Sequence, residues 1–110
     1  MNVQIRTKDI TLNDHTKGHV EAAIEQFSKY NLDITTVNVN LSKEKQGVSV
    51  EFDMHIAHTA PVVINQSDDD LDAAIDLAID RASKALRRLH DKVKSHGSDS
   101  IKDMEVAEAE

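Results

Sequence analysis

The sequence predicts an α+β domain in the order β-α-β-β-β-α: a four-stranded sheet with two helices packed on one face. Three observations lead there. Val48, Val50, Phe52, Met54 and Ile56 keep a period of two, the pattern of a strand with one buried face. Leu71, Ile75, Ala78, Ile79, Ala82, Leu86, Leu89 and Val93 recur at helical spacing. The chain has 110 residues, enough for one small domain in which two amphipathic helices cover one side of a sheet.

The elements follow in order. Val3 and Ile5 alternate with polar neighbours and read as a short first strand. Asn13 is placed to cap the first helix, and Asp14 suits its first turn. Leu12, Thr16, Val20, Ala23, Ile24 and Phe27 then mark a helix over residues 14–30. Gly18 inside it costs about 1 kcal/mol relative to Ala, and marks either close packing or a tolerated open position. Val37, Val39 and Leu41 alternate as a second strand, and Lys45-Gln46-Gly47 turns the chain into the third. Ser49, Glu51, Asp53 and His55 fill the third strand's other face, so one side of the sheet is wet. A tight turn near His58–Ala60 leads to a fourth strand, Pro61-Val62-Val63-Ile64, where Pro61 fits a strand start or an edge. Asp68, Asp69 and Asp70 open the second helix and complement its dipole. That helix runs to Lys94, with Gly97 as its stop.

Composition narrows the function classes. There are 13 Lys and Arg against 20 Asp and Glu, a net charge of −7, which argues against indiscriminate DNA binding. From Asp99 to Glu110 five acids face one Lys, so this stretch carries −4 of the −7 and residues 1–98 carry −3. It lacks apolar periodicity and reads as a solvated, disordered tail. The expected organisation is a folded domain over residues 1–97 and an acidic tail over residues 98–110. Cysteine is absent, which rules out a disulfide framework, a thiol nucleophile and a cysteine zinc site. No apolar run approaches the roughly 20 residues of a bilayer span. The start, MNVQIRTKD, lacks the apolar run of a signal peptide. The expected location is the cytoplasm, with no membrane partner.

Against the acidic background, the second helix is basic. Between Leu77 and His96 lie six Lys or Arg and only two Asp. On a helical wheel of about 100° per residue, Arg81, Lys84, Arg88 and Lys92 fall within about 80° of one another, some 120° from the middle of the apolar face. Arg87 and Lys94 flank the other side of the core stripe, and His90 lies between Arg88 and Lys92. Late basic residues also favour the helix dipole, but Arg81 and Lys84 sit too far from the end to gain much. A rigid row of cations matches successive phosphates on folded RNA. Aromatics are only 3% of the chain, so recognition by backbone and shape fits better than base stacking.

Over residues 1–96 the chain resembles the bacterial ribosome hibernation promoting factors and ribosome-associated inhibitors. That family includes protein Y and was once called sigma-54 modulation proteins. The resemblance lies in the opening VQIRTKDITL, in HVEAAIEQFSKY, in LSKEKQG and in DLDAAIDLAIDRASKALRRLHDKVK, taken in that order. The acidic tail with its embedded valine looks like that of protein Y. The resemblance implies a domain shaped like double-stranded RNA-binding domains. It also implies binding to the 30S subunit and the 70S ribosome through 16S ribosomal RNA, in the channel used by mRNA and tRNA. Translation would be blocked there in stationary phase or stress. Carried onto this chain, the family's basic second-helix positions match Arg81, Lys84, Arg88 and Lys92, and Lys17 and Lys29 match basic positions of the first helix. Asp72 stands where relatives commonly have Tyr, and Ala23 and Gln26 occupy positions that are often basic. Arg6 and Lys8 partly restore charge near the start. The chain looks like a short form without the family's dimerisation domain, and a monomer is expected.

Other clusters carry less. His15 and His19 lie four apart on the first helix, but a metal site would need two further ligands. His55 and His58 face opposite ways in extended geometry and read as surface residues. Asp72, Asp76 and Asp80 repeat every four residues as a solvated face, with Asp80 and Lys84 attractive neighbours. No nucleophile motif or glycine-rich phosphate cradle accompanies them. The expectation is therefore no enzyme, no cofactor, no metal and no small-molecule substrate. The alternative function is a protein-binding adaptor or transcription modulator docking through the second helix.

Overall fold

The computed structural model describes the backbone of residues 1–98 and the side chains of residues 1–92. The order is β1 (Asn2–Lys8), α1 (Asp14–Gln26), a 3₁₀ turn (Phe27–Tyr30), β2 (Ile34–Glu44), β3 (Gly47–Ile56), β4 (Val62–Asp68) and α2 (Leu71–Ser98). This is the expected β-α-β-β-β-α arrangement. The strands lie side by side in the order β1-β2-β3-β4. β1 runs parallel to β2, with Val3 opposite Val37 and Ile5 opposite Val39. The other two pairings are antiparallel, with Phe52 opposite both Val39 and Ile64.

One face of the sheet is buried under both helices. Val37, Val39 and Leu41 of β2 meet Val50, Phe52, Met54 and Ile56 of β3, all in the core. Val20, Ile24 and Phe27 close it from one side, and Ala74, Ile75, Ala78, Ala82 and Leu86 from the other. Three alanines four residues apart give α2 a flat face that sits close to β3 and β4. Phe27 and Phe52 meet edge to face with ring centres 6.3 Å apart, a favoured aromatic geometry.

Local chemistry explains the element ends. The Asn13 side chain accepts the backbone N–H of Thr16 at 2.7 Å and starts α1. Regular α-helix stops at Gln26, short of the predicted residue 30. The last turn tightens to 3₁₀, and Asn31 closes it in the left-handed conformation. Gly18 has open space around its Cβ position, so it is a tolerated glycine, not a packing contact. β4 begins at Val62, just after Pro61, and continues past Ile64 to Asp68. Asp68 is thus the last strand residue, not part of the helix start. Asp70 is the cap: its carboxylate accepts the backbone N–H of Ala73 at 3.1 Å. α2 passes through Gly97 and continues to Ser98, beyond the predicted end at Lys94. Residues 99–110, most of the predicted acidic tail, lie outside the described residues.

Candidate nucleic-acid interface

The amphipathic pattern of α2 turns its apolar stripe to the sheet and leaves Arg81, Lys84, Arg87, Arg88 and Lys92 exposed. At 1.5 Å per residue, the row from Arg81 to Lys92 is about 17 Å long. Its members differ in what already holds them. Arg81 Nη1 donates to the backbone oxygen of Asn65 at 2.8 Å and to the Gln66 side chain at 3.0 Å. The guanidinium therefore straps α2 to β4, and its role is at least partly structural. Lys84 pairs with Asp80 at 3.1 Å, as the spacing predicted. Among the described residues, Arg87, Arg88 and Lys92 have no carboxylate within 4 Å. No direct partner among the described residues compensates their charge, which makes them the strongest phosphate-binding candidates on α2: Arg88 and Lys92 belong to the row, and Arg87 lies on the other side of the core stripe. His90 is half-buried, with Nδ1 3.5 Å from Asp91. Lys94 lies outside the residues whose side chains are described.

The remaining basic candidates divide between two faces. Lys17 on α1 and Lys29 on the 3₁₀ turn are exposed on the helical side, and Lys29 Nζ lies 5.4 Å from the centre of the Tyr30 ring. The two helices are tied together by a 2.8 Å contact between His19 Nε2 and Asp76. Arg6 and Lys8 are elsewhere. They pair in register with Asn40 and Ser42, whose side chains alternate away from the core, so they lie on the sheet's uncovered face. They do not extend the cationic surface of α2. That uncovered face is polar and partly acidic, with Glu51 accepting from Asn40 at 3.2 Å and Asp53 3.5 Å from His55.

One residue of the α2 surface was missed by the periodicity argument. Leu77 is 43% exposed and falls inside the angular range of the cationic row, one turn before Arg81. It lies outside the apolar stripe read from the sequence, and its angle on the wheel separates it from Ile75 and Ala78.

Residues 3–94 match the protein family described as Sigma 54 modulation protein / S30EA ribosomal protein. The chain belongs to this family. The match takes in α1, β2, β3 and β4 whole, β1 from Val3 and α2 as far as Lys94. The chain is 30% identical to the ribosome hibernation promoting factor of Azotobacter vinelandii over 92 residues, covering 84% of this chain and 85% of that one. Among solved structures, the N-terminal domain of Thermus thermophilus protein Y superposes with a TM-score of 0.70 at 25% identity, covering 81% of this chain and 99% of that domain. A ribosomal subunit interface protein from Coxiella burnetii has the same fold, with a TM-score of 0.72 at 12% identity over 81% of this chain and 97% of that one. The family's description names a sigma-54 modulation protein and a ribosomal protein. No helix among the described residues is long and apolar enough to cross a membrane.

Proposed function

We propose that this chain is a cytoplasmic ribosome hibernation factor. It binds the 30S subunit, alone or within the 70S ribosome, and presents α2 to 16S ribosomal RNA phosphates in the decoding channel. Inhibition is by occupancy: the domain's bulk excludes mRNA and tRNA, and no bond is made or broken. The observation that carries this reading is the set of exposed cations on α2. Arg87, Arg88 and Lys92 lack direct partners among the described residues of a protein with net charge −7. Such an imbalance favours a particular anionic surface while the acidic remainder repels RNA in general. Lys17 and Lys29 are further exposed cations, Lys17 on the flank of α1 turned away from the His19–Asp76 contact with α2 and Lys29 on the 3₁₀ turn.

The test is co-sedimentation of the purified protein with 30S, 50S and 70S particles at low and physiological salt. The expected result is saturable binding to 30S and 70S that is lost on adding mRNA with initiator tRNA. Failure to associate with any particle would exclude this function. Leu77 favours a second reading, an adaptor that docks an acidic protein through α2, because an exposed leucine contributes little to phosphate binding. Competition separates the two: ribosomal RNA displaces a ribosome-bound factor and leaves the protein complex of an adaptor to be found by pull-down.

A further inference from the structure

β1 is an edge strand, since the order β1-β2-β3-β4 leaves its outer side without a neighbour. In a parallel pair, alternate residues turn their N–H and C=O groups toward the neighbouring strand, so the others in Asn2–Lys8 turn theirs outward. Such an edge is a template for another extended chain. Its two halves differ. The second carries Arg6 and Lys8, charges that blunt an edge. The first, Asn2–Ile5, carries no charged side chain.

Beside that bare half lies a groove of about 500 Å³ lined by Met1, Val3, Glu21, Ile24 and Glu25. Val3 shares the face of the core residue Val37, so it points into this groove below α1. Met1 and Val3 are 54% and 38% exposed, half of the four large apolar side chains so exposed among the described residues. The floor is therefore apolar and open. The rim is acidic: Glu21 and Glu25 stand one helical turn apart, and neither has a cation within 4 Å among the described residues. An unpaired strand edge, an apolar slot and two unneutralised carboxylates thus meet at one place.

We propose that this place is a docking site for an extended basic peptide of a protein partner, which adds to the sheet as a fifth strand along Asn2–Ile5. The peptide backbone continues the ladder. One apolar side chain enters the slot between Val3 and Ile24. Lys or Arg residues two positions to either side share that face of the strand and meet Glu21 and Glu25. The chain's own residues 99–110 are unsuited, because their net charge of −4 is repelled by the two glutamates. A second copy pairing through β1 would bring two such acidic rims together. β1 lies at the opposite edge of the sheet from β4, on which α2 packs, so this site stands independently of the ribosome reading.

The probe is the peptide Ac-Lys-Thr-Val-Thr-Lys-Thr-NH2, titrated into the isotope-labelled full chain and followed by NMR. Saturable shifts confined to Asn2–Ile5 and Glu21–Glu25 are expected. Two versions N-methylated on alternate residues add a backbone test. The one methylated on the edge facing β1 loses about tenfold in affinity, while the other binds like the parent. The double variant E21K/E25K, at two exposed helix positions, is expected to weaken the peptide at least about fivefold with an unchanged circular dichroism spectrum. Absence of saturable shifts, shifts centred on Arg88 and Lys92, equal binding of both methylated peptides, or unchanged affinity of E21K/E25K would each overturn the proposal.

Discussion

Replacing Lys84, Arg88 and Lys92 together by Ala isolates the cationic row. Arg81 is left in place because its bonds to Asn65 and Gln66 hold β4. The fold should survive the triple change. Its one described ion pair, Lys84 with Asp80, is more than half exposed on both sides, and such pairs contribute about 0–1 kcal/mol. Alanine also has the higher helix propensity, so net stability should move by no more than about 0.5 kcal/mol. Binding behaves differently. Each phosphate contact contributes about 0.7–0.9 to the slope of log K against log salt, so three contacts contribute about 2.4. Between a reference of about 1 M, where this contribution vanishes, and about 0.15 M, a slope of that size is worth about a hundredfold in affinity. The assay is fluorescence anisotropy of labelled protein on small subunits across a potassium chloride series, with a thermal melt as the control. A variant with a native melt and the parent's salt slope would refute the assignment of this row to phosphate binding.

Four stability predictions follow from local geometry. Asn13→Ala removes the acceptor for the Thr16 N–H and should cost about 1 kcal/mol, read as a fall of about 4–8 °C in the melting midpoint. Leu86→Ala empties a fully buried site and should cost about 2–5 kcal/mol in urea unfolding, whereas Leu77→Ala, at a 43% exposed site, should stay within about 0.5 kcal/mol. Gly18→Ala meets nothing and should stabilise by up to about 1 kcal/mol. Gly47→Ala should destabilise by more than about 1 kcal/mol, because φ is +98° and a Cβ would run into the carbonyl oxygen of Asp68.

The parts of the fold legible in the sequence are those where side-chain burial dictates structure. Residues 48–56 alternate because one face of β3 lies in the core, and α2 shows its apolar stripe for the same reason. Where backbone pairing or a tertiary contact decides, the sequence is silent. Asn65-Gln66-Ser67-Asp68 has no apolar alternation, yet it continues β4 because β3 from Val48 to Glu51 supplies a ladder partner. The parallel pairing of β1 with β2 leaves no periodic mark, since alternation is the same in either direction. The placement of the cations follows this division. Their common face on α2 is a matter of helical spacing and was readable. The tie of Arg81 to β4 and the placement of Arg6 and Lys8 on the far side of the sheet depend on elements brought together from distant stretches of chain.

The parallel position of β1 also bears on how the chain folds. β2, β3 and β4 form a meander whose first hairpin closes through Lys45 and Gln46 alone, so its contacts are local and cheap in loop-closure entropy. β1 must instead wait for α1 to bridge the stretch from Lys8 to Ile34 before Val3 can meet Val37. Contacts of high sequence separation form late. The expectation is that the β2-β3-β4 meander forms early, and that β1 is the last strand on and the first strand off. Amide exchange should show this as weaker protection across Asn2–Lys8 than across Val50–Met54. The first half of that strand is also one wall of the groove beside α1, so any chain bound there would act as a clamp on the least cooperative edge of the domain.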